Sequence, residues 1–492
     1  MDVEQFKDDV RSGRIDSDRL VELVVMLAEQ LQRALRRIEE LEKELGRRPP
    51  KLEEPFSVRA EEQRQEARGK KRRQRKPKRR GRNRTAEKVA LAERTEKVFP
   101  QGVAQDECAY SHTRPVWRLE NGRAVLVAYE IHRAGNRFGN IPGVPDRGEF
   151  GIEISVAIAF QVYVVGLSFD KVCLLMNFFQ GLNLTKSQAD ALLKRLAKQW
   201  EREFDILCTL LAHSAVVHAD ETGWSINSVW AFLSEKARVL FFGVHKDAAT
   251  LQQILDPATF AGIVVSDDAA VYAHFTHAQK CWAHLLRKAI KLTLLEPDNA
   301  EYREFTDRLL AIYRAACGAQ RDRRLSDAGR ARKVAELDDE IVALCVPMWS
   351  AELPPADGPA NDYRLLVNEL MRLMLAQELF TFVTAAPVKA PNGQTQPVSG
   401  TNNEAERTLR GAAEARKTGR TSKTPAGARR RTVIVSVLES LRQHLRAFTL
   451  QAVIAEVLHW SAAGRSCFAR LLTKLHLPPS RSSPLHLIPA AG

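Results

Sequence analysis

A run of short apolar segments in the middle of the chain constrains the fold most. Ala215 to Ala219, Val229 to Ser234 and Val239 to Val244 read as three consecutive strands, the last two joined by a turn at Glu235-Lys236-Ala237-Arg238. Thr250 to Leu255 then has helical spacing, Gly262 to Ser266 reads as a fully buried fourth strand, and His277 to Cys281 as a short fifth one that feeds a helix. Three strands, a helix and a further strand, with acids at the ends of the first and fourth, is the order of a ribonuclease-H-like α/β core.

Three acids stand out against this frame. Asp220 lies in Val-Val-His-Ala-Asp-Glu-Thr and Asp267 in Gly-Ile-Val-Val-Ser-Asp, while Glu406 lies in Thr-Asn-Asn-Glu-Ala-Glu-Arg, where a later helix begins. Any one of them alone would ordinarily be a solvated acid or a helix cap. Placed together, carboxylates from distant segments can hold two divalent ions about 4 Å apart for in-line displacement at phosphorus. Hard Mg²⁺ or Mn²⁺ takes oxygen ligands, so Asp and Glu suit the task where His and Cys would not. Glu221 and Asp268 are neighbours of the first two acids, but adjacent strand side chains point to opposite faces, which excludes one of each pair. Thr401-x-x-Glu404 fits a capping box, which gives Glu404 a structural task and leaves Glu406 for metal.

Charge points to the partner. The chain of 492 residues has a formal net charge of +14, and Arg68 to Arg84 alone supplies 12 basic residues and no acidic one. Lys70, Lys71, Arg72, Arg73, Arg75, Lys78, Arg79 and Arg80 in this run would neutralise phosphates and release counterions, giving salt-sensitive affinity for nucleic acid. A solvated linker or an anionic-membrane tether is the other reading, but no amphipathic or lipidation signal accompanies the run. Arg407, Arg410, Arg416, Lys417, Arg420 and Lys423, with Arg429 to Arg431, surround the third acid and suit phosphate oxygens. Trp224 and Trp230 read as core aromatics rather than base-stacking platforms.

The rest of the chain supplies the framework. Leu20, Val24, Leu27, Leu31, Ala34, Ile38, Leu41 and Leu45 repeat at spacings of about four and three, the seam of a coiled coil or of an amphipathic helix folded onto the body. The expected organisation is a dimerisation helix at 1–48, a basic disordered linker at 49–100, and a degenerate zinc-module-like or DNA-end-binding region at 101–150. A helical region at 151–212 follows, then the core in two parts, 213–290 and 399–460, around a helical insertion at 291–398, and a C-terminal tail at 461–492. Cys108, His112 and His132 lack the paired short spacings of a structural zinc site. The longest apolar stretch, Ile154 to Leu167, is too short to span a bilayer, and seven scattered cysteines point to reduced thiols in a cytoplasm.

At these motifs the chain resembles the transposases of the insertion sequence 66 family. The likeness runs through His218-Ala219-Asp220-Glu221-Thr222-Gly223-Trp224, Val265-Ser266-Asp267 with Tyr272, Gln279 to Arg287, Asn402-Asn403-Glu404-Ala405-Glu406-Arg407 with Leu409-Arg410, and Gly427-Ala428-Arg429-Arg430, covering roughly residues 145 to 445. The resemblance implies an Asp-Asp-Glu enzyme with Asp220, Asp267 and Glu406 as catalytic metal ligands. It would nick DNA at the ends of an insertion sequence and join the freed 3′-hydroxyl to target DNA. It further implies a bacterial cytoplasmic protein, at the nucleoid when bound to DNA, acting as at least a dimer, with accessory transposition proteins left open as partners. His284 would lie near the site or pack behind a central strand. The family's cysteine-rich zinc module has no counterpart around Cys108. A non-catalytic dimeric DNA-binding protein and a nuclease that only hydrolyses are the competing readings.

Overall fold

The computed structural model describes residues 85–145, 148–349, 357–391, 393–478 and 483–488. The heptad seam of residues 20–45 and the eight named basic residues between Lys70 and Arg80 lie outside them. The described chain begins with α1 (Thr85–Ala90) and a sheet of β1 (Arg94–Val98), β2 (Ala109–Glu120), β3 (Arg123–Ala134) and β4 (Arg137–Phe138). β3 lies between β1, which is parallel to it, and β2, which is antiparallel. The β2–β3 hairpin turns through Asn121 (φ 50°) and Gly122 (φ 78°). Positive φ at both positions matches a two-residue turn to the strand twist, and Asn and Gly accept it most readily. Residues 94–98 thus form a strand where the sequence suggests disordered linker. Their partner is about thirty residues away, so no local pattern announces the pairing.

A helical layer follows: α2 (Ile152–Ala159), a π-helical turn (Phe160–Val164), α3 (Phe169–Gln180) and α4 (Lys186–Ala212). Thr185 and Gln188 close a reciprocal capping box at the start of α4, which buries Leu193, Trp200, Phe204 and Leu211. The central sheet contains β5 (Val216–Gly223), β6 (Ser228–Ser234) and β7 (Arg238–Val244), then β8 (Ile263–Ser266) and β9 (Ala278–Lys280), with α5 (Ala248–Ile254) between β7 and β8. Its order is β7-β6-β5-β8-β9. The first three form an antiparallel meander, while β8 runs parallel to β5 and β9 parallel to β8.

α6 (Trp282–Leu295), α7 (Ala300–Arg321), α8 (Asp327–Trp349), α9 (Pro359–Leu375) and α10 (Thr381–Thr384) form the insertion, followed by the small hairpin β10 (Val388–Lys389) and β11 (Thr395–Gln396). The insertion has its own apolar core, which includes Leu309, Ile341, Leu366 and Leu370 together with the buried Trp282. The chain then returns to the central sheet as α11 (Asn403–Lys417) and α12 (Pro425–His444), and ends in α13 (Leu450–Ala463) and α14 (Cys467–Lys474).

α12 solves the edge problem of β7. Thr432, Ser436 and Ser440 stand at i, i+4 and i+8 on one helix face, and their hydroxyls accept from the backbone N–H groups of Phe242, Leu240 and Arg238 at 2.9, 2.9 and 3.0 Å. Donors that would otherwise invite another strand are satisfied by side chains. All seven cysteines are unpaired. No helix among the described residues is long and apolar enough to cross a membrane.

Candidate active site

β5 is the central strand, and its parallel register with β8 sets Val216, Val217 and His218 against Ile263, Val264 and Val265. Continued by two residues, this register brings Asp220 level with Asp267. Asp220 lies within β5, opposite Ala231 of β6, and the strand runs on to Gly223 rather than ending at Ala219. Strand alternation separates the acids in the first motif. Glu221 is buried, accepts a hydrogen bond from the Tyr272 hydroxyl and pairs with Lys246 at 2.8 Å. Asp268 is likewise engaged, in an ion pair with Arg372.

Asp267 is held where β8 ends. Its Oδ1 accepts from the Ala269 N–H at 3.1 Å, and its carbonyl accepts from Lys280 Nζ at 3.3 Å. Lys280 closes β9 and is buried, which lowers its pKa against the pull of Glu378, Asp268 and Asp267.

Glu406 reaches the site through the start of α11. Asn402, fully buried, donates its side-chain amide to the Ala219 carbonyl at 2.7 Å and its backbone N–H to Cys281 Sγ at 3.1 Å. The Trp282 N–H donates to the Gly400 carbonyl at 3.0 Å. These bonds fasten α11 to β5 just before Asp220 and to the junction of β9 and α6. The capping box at Thr401 does not form. Asn402 occupies the cap position with its amide committed to Ala219, and Glu404 pairs instead with Arg238 of β7.

The Glu406 carboxylate accepts from Arg287 Nη2 at 2.7 Å and lies 3.6 Å from His284 Nδ1. Cys281, His284 and Glu406 offer donor atoms all within 4.8 Å of one another, a group that does not include Asp220 or Asp267. Both of the Glu406 carboxylate's neighbours here, Arg287 and His284, belong to α6. His284 therefore lies beside the third acid. His218, on the same face of β5 as Asp220, is half-buried, and loss of hydration around its ring lowers its pKa.

The electrostatics link the three acids. The Asp220 carboxyl is pushed up to about 7, first by burial, then by Glu221, and further by Asp267 and Glu406. An acid with a raised folded pKa binds more protons folded than unfolded. Its effect favours the fold fully below the ordinary value near 3.8 and is lost as pH rises through about 7. Thermal unfolding in chelator should therefore show falling stability across that range. Asp220→Asn should flatten the fall and stabilise the metal-free protein at pH 8 by about 1–3 kcal/mol; an unchanged profile would contradict the assignment.

The basic residues divide. Arg407 and Arg410 are exposed on α11 beside Glu406, and Lys417 is exposed in its last turn. Arg416 and Arg420 are exposed too, but each spends one guanidinium nitrogen on a backbone carbonyl, of Gly223 at 2.9 Å and of Gly166 at 2.8 Å. Arg429 to Arg431 turn toward the protein. Arg429 pairs with Glu201 at 3.2 Å, and Arg430 binds the Tyr163 hydroxyl and Asp190. Arg431 is buried with its guanidinium 4.9 Å from the Trp224 ring centre and 5.1 Å from that of Phe242. Arg430 and Arg431 are structural rather than phosphate ligands, since a carboxylate, a tyrosine hydroxyl and aromatic faces occupy them, whereas Arg429 stays partly exposed in its ion pair. Trp224 and Trp230 are buried core residues, as expected.

Cys108 Sγ lies 3.3 Å from the Ala104 carbonyl, and His132 stacks on Phe99 at 4.4 Å. Sequence reasoning gave no role to Asn402, Arg287 or Lys280. Of these only Asn402 carries a local signal, as an Asn just before a helix.

Comparison with curated proteins found no match. Residues 147–430 match the family described as Transposase IS66 family, and the match takes in Asp220, Asp267 and Glu406 together with the whole insertion. Transposases are enzymes that transfer DNA, so DNA is the partner the family implies. The chain belongs to the IS66 family of transposases.

Proposed function

We propose that this transposase has a ribonuclease-H-like core and works through Asp220, Asp267 and Glu406 as an Asp-Asp-Glu centre. The reading rests most heavily on one observation. Asp220 lies within β5 and Asp267 directly follows β8, the parallel strand beside it, and Asp220 is raised to about 7 in part by Asp267 and Glu406. Such crowding of carboxylates suits a hard divalent cation, and the oxygen donors fit Mg²⁺ or Mn²⁺ better than Cys281 and His284 do. When bound, the cation would activate the attacking oxygen and stabilise the leaving oxygen.

The chain's own groups set up the reaction. Lys280 and Asn402 position Asp267 and the start of α11, and Glu406 joins the aspartates by exchanging its bond to Arg287. Water attacks phosphorus at the element's end and gives up a proton to solvent, the bond from phosphorus to the 3′-oxygen breaks, and that oxygen takes a proton from solvent, leaving a 5′-phosphate and a 3′-hydroxyl. The freed 3′-hydroxyl then attacks a target phosphate, releasing a target 3′-hydroxyl in turn. Arg407, Arg410 and Lys417 take flanking phosphates, with Arg416 and Arg420 contributing their remaining donors. The heptad segment supplies self-association, so that two ends are held together.

The purified protein, given Mg²⁺ or Mn²⁺ and DNA carrying the flanks of its own gene, should leave nicks with 3′-hydroxyl ends and produce strands joined to target. Nicks without joining would indicate a nuclease that only hydrolyses, and binding without nicks an accessory DNA-binding protein. Deleting residues 68–84 should weaken binding and flatten the slope of log affinity against log salt by at least about 3, since each neutralised phosphate contributes about 0.9. An unchanged slope between 50 and 200 mM salt would remove the basic run from the contact.

A further inference from the structure

We infer that the groove between α6 and α11 holds one strand of the DNA end in unpaired form; the inference rests on the proposed DNA chemistry of the adjoining acids. The two helices start together, joined by the bond from Trp282 N–H to the Gly400 carbonyl and by that from Asn402 N–H to Cys281 Sγ. They then line a cleft of about 610 Å³ in step, from Ala283 and Asn403, past the Arg287–Glu406 ion pair, to Ile290 and Arg410. Because α6 is the first helix of the insertion, the insertion itself furnishes one wall.

The two walls differ in chemistry. α6 contributes Leu286 and Ile290 to the cleft, and its i+4 spacing continues to Leu294, with Ile290 46% and Leu294 74% exposed. α11 contributes Arg407 and Arg410, both exposed. A duplex presents phosphates along both flanks and hides the faces of its bases. An unpaired strand presents phosphates on one side and base faces on the other, and so matches a cleft with Arg407 and Arg410 on the α11 side and Leu286 and Ile290 on the α6 side, where Arg287 is held in its ion pair with Glu406 across the cleft. Aliphatic side chains are known to wedge against unstacked bases, and basic grooves track single strands. Glu406 in the cleft wall puts the last paired phosphate beside the acids.

The test is fluorescence anisotropy of the full chain in chelator. The probes are a forked oligonucleotide with a short unpaired arm and a fully paired duplex of the same sequence. The fork should bind about tenfold tighter, the worth of one well-held base. Ile290→Glu and Arg410→Glu, one on each wall, should each bring the two affinities within about twofold of one another. Circular dichroism checks that both variants fold, and if Ile290→Glu does not, Arg410→Glu and Ile290→Ser decide. Equal binding of fork and duplex by the parent protein, or a preference that survives both substitutions, overturns the inference and leaves the transposase reading intact. Failure to bind DNA of either form overturns both.

Discussion

Asp220→Asn is expected to reduce metal-dependent nicking by about a thousandfold or more while leaving DNA affinity within about twofold. The substitution preserves shape and removes a ligand charge from a strand whose backbone pairing with β6 and β8 does not depend on it. The same change relieves the crowding that raises the Asp220 carboxyl, so the protein should become more stable as it becomes inactive. This opposition separates a catalytic acid from a structural one, because loss of a structural acid lowers stability and activity together. Single-turnover nicking beside thermal unfolding reads both. A variant that nicks at a comparable rate, or that melts earlier than the parent at pH 8, would contradict the role given to Asp220.

Trp282→Ala should cost about 3–5 kcal/mol and impair nicking without touching any acid. The ring is fully buried, packs at 5.2 Å from Tyr313 and 5.4 Å from Phe380, and donates its indole N–H to the Leu379 carbonyl at 2.7 Å. Its removal leaves a cavity in the insertion core, while the Leu379 carbonyl keeps only its bond from the Gln279 side-chain amide at 2.9 Å. The backbone of the same residue fastens Gly400, two residues before Asn402, so the loss is transmitted to the placement of Glu406. Urea unfolding of the variant gives the stability term. A loss below about 1 kcal/mol would mean that the insertion and the central sheet are less tightly joined than this packing implies.

How much of this was legible in the sequence depended on how local each interaction is. The strands of the central sheet announced themselves as apolar runs, and the alternation rule correctly separated Asp220 from Glu221. The same signal ended β5 too early, because an apolar run stops at the first charged residue while the backbone ladder with β6 continues to Gly223. The Asn121-Gly122 hairpin is readable from its turn residues but lies in the 101–150 segment, where the sequence suggests only a zinc-module-like or DNA-end-binding region. The capping box at Thr401 failed for a reason no local window contains: Arg238, the partner of Glu404, is 166 residues away. Arg430 and Arg431 looked like their exposed neighbours until the fold set them against Tyr163, Asp190, Trp224 and Phe242. Composition identifies basic residues, and only tertiary packing shows which remain exposed for phosphate.

The central claim is that Glu406, and not its neighbour Glu404, completes the site with Asp220 and Asp267. Glu404 is bound to Arg238 of β7, a half-exposed ion pair worth about 0–1 kcal/mol, whereas Glu406 shares the electrostatic field of Asp220. The most direct measurement is single-turnover nicking by Glu404→Gln and Glu406→Gln, side by side, on the same DNA end with Mn²⁺. The account predicts that Glu404→Gln nicks within about threefold of the parent and that Glu406→Gln loses about a thousandfold. Nicking by Glu406→Gln at close to the parent rate, with loss in Glu404→Gln, would contradict it.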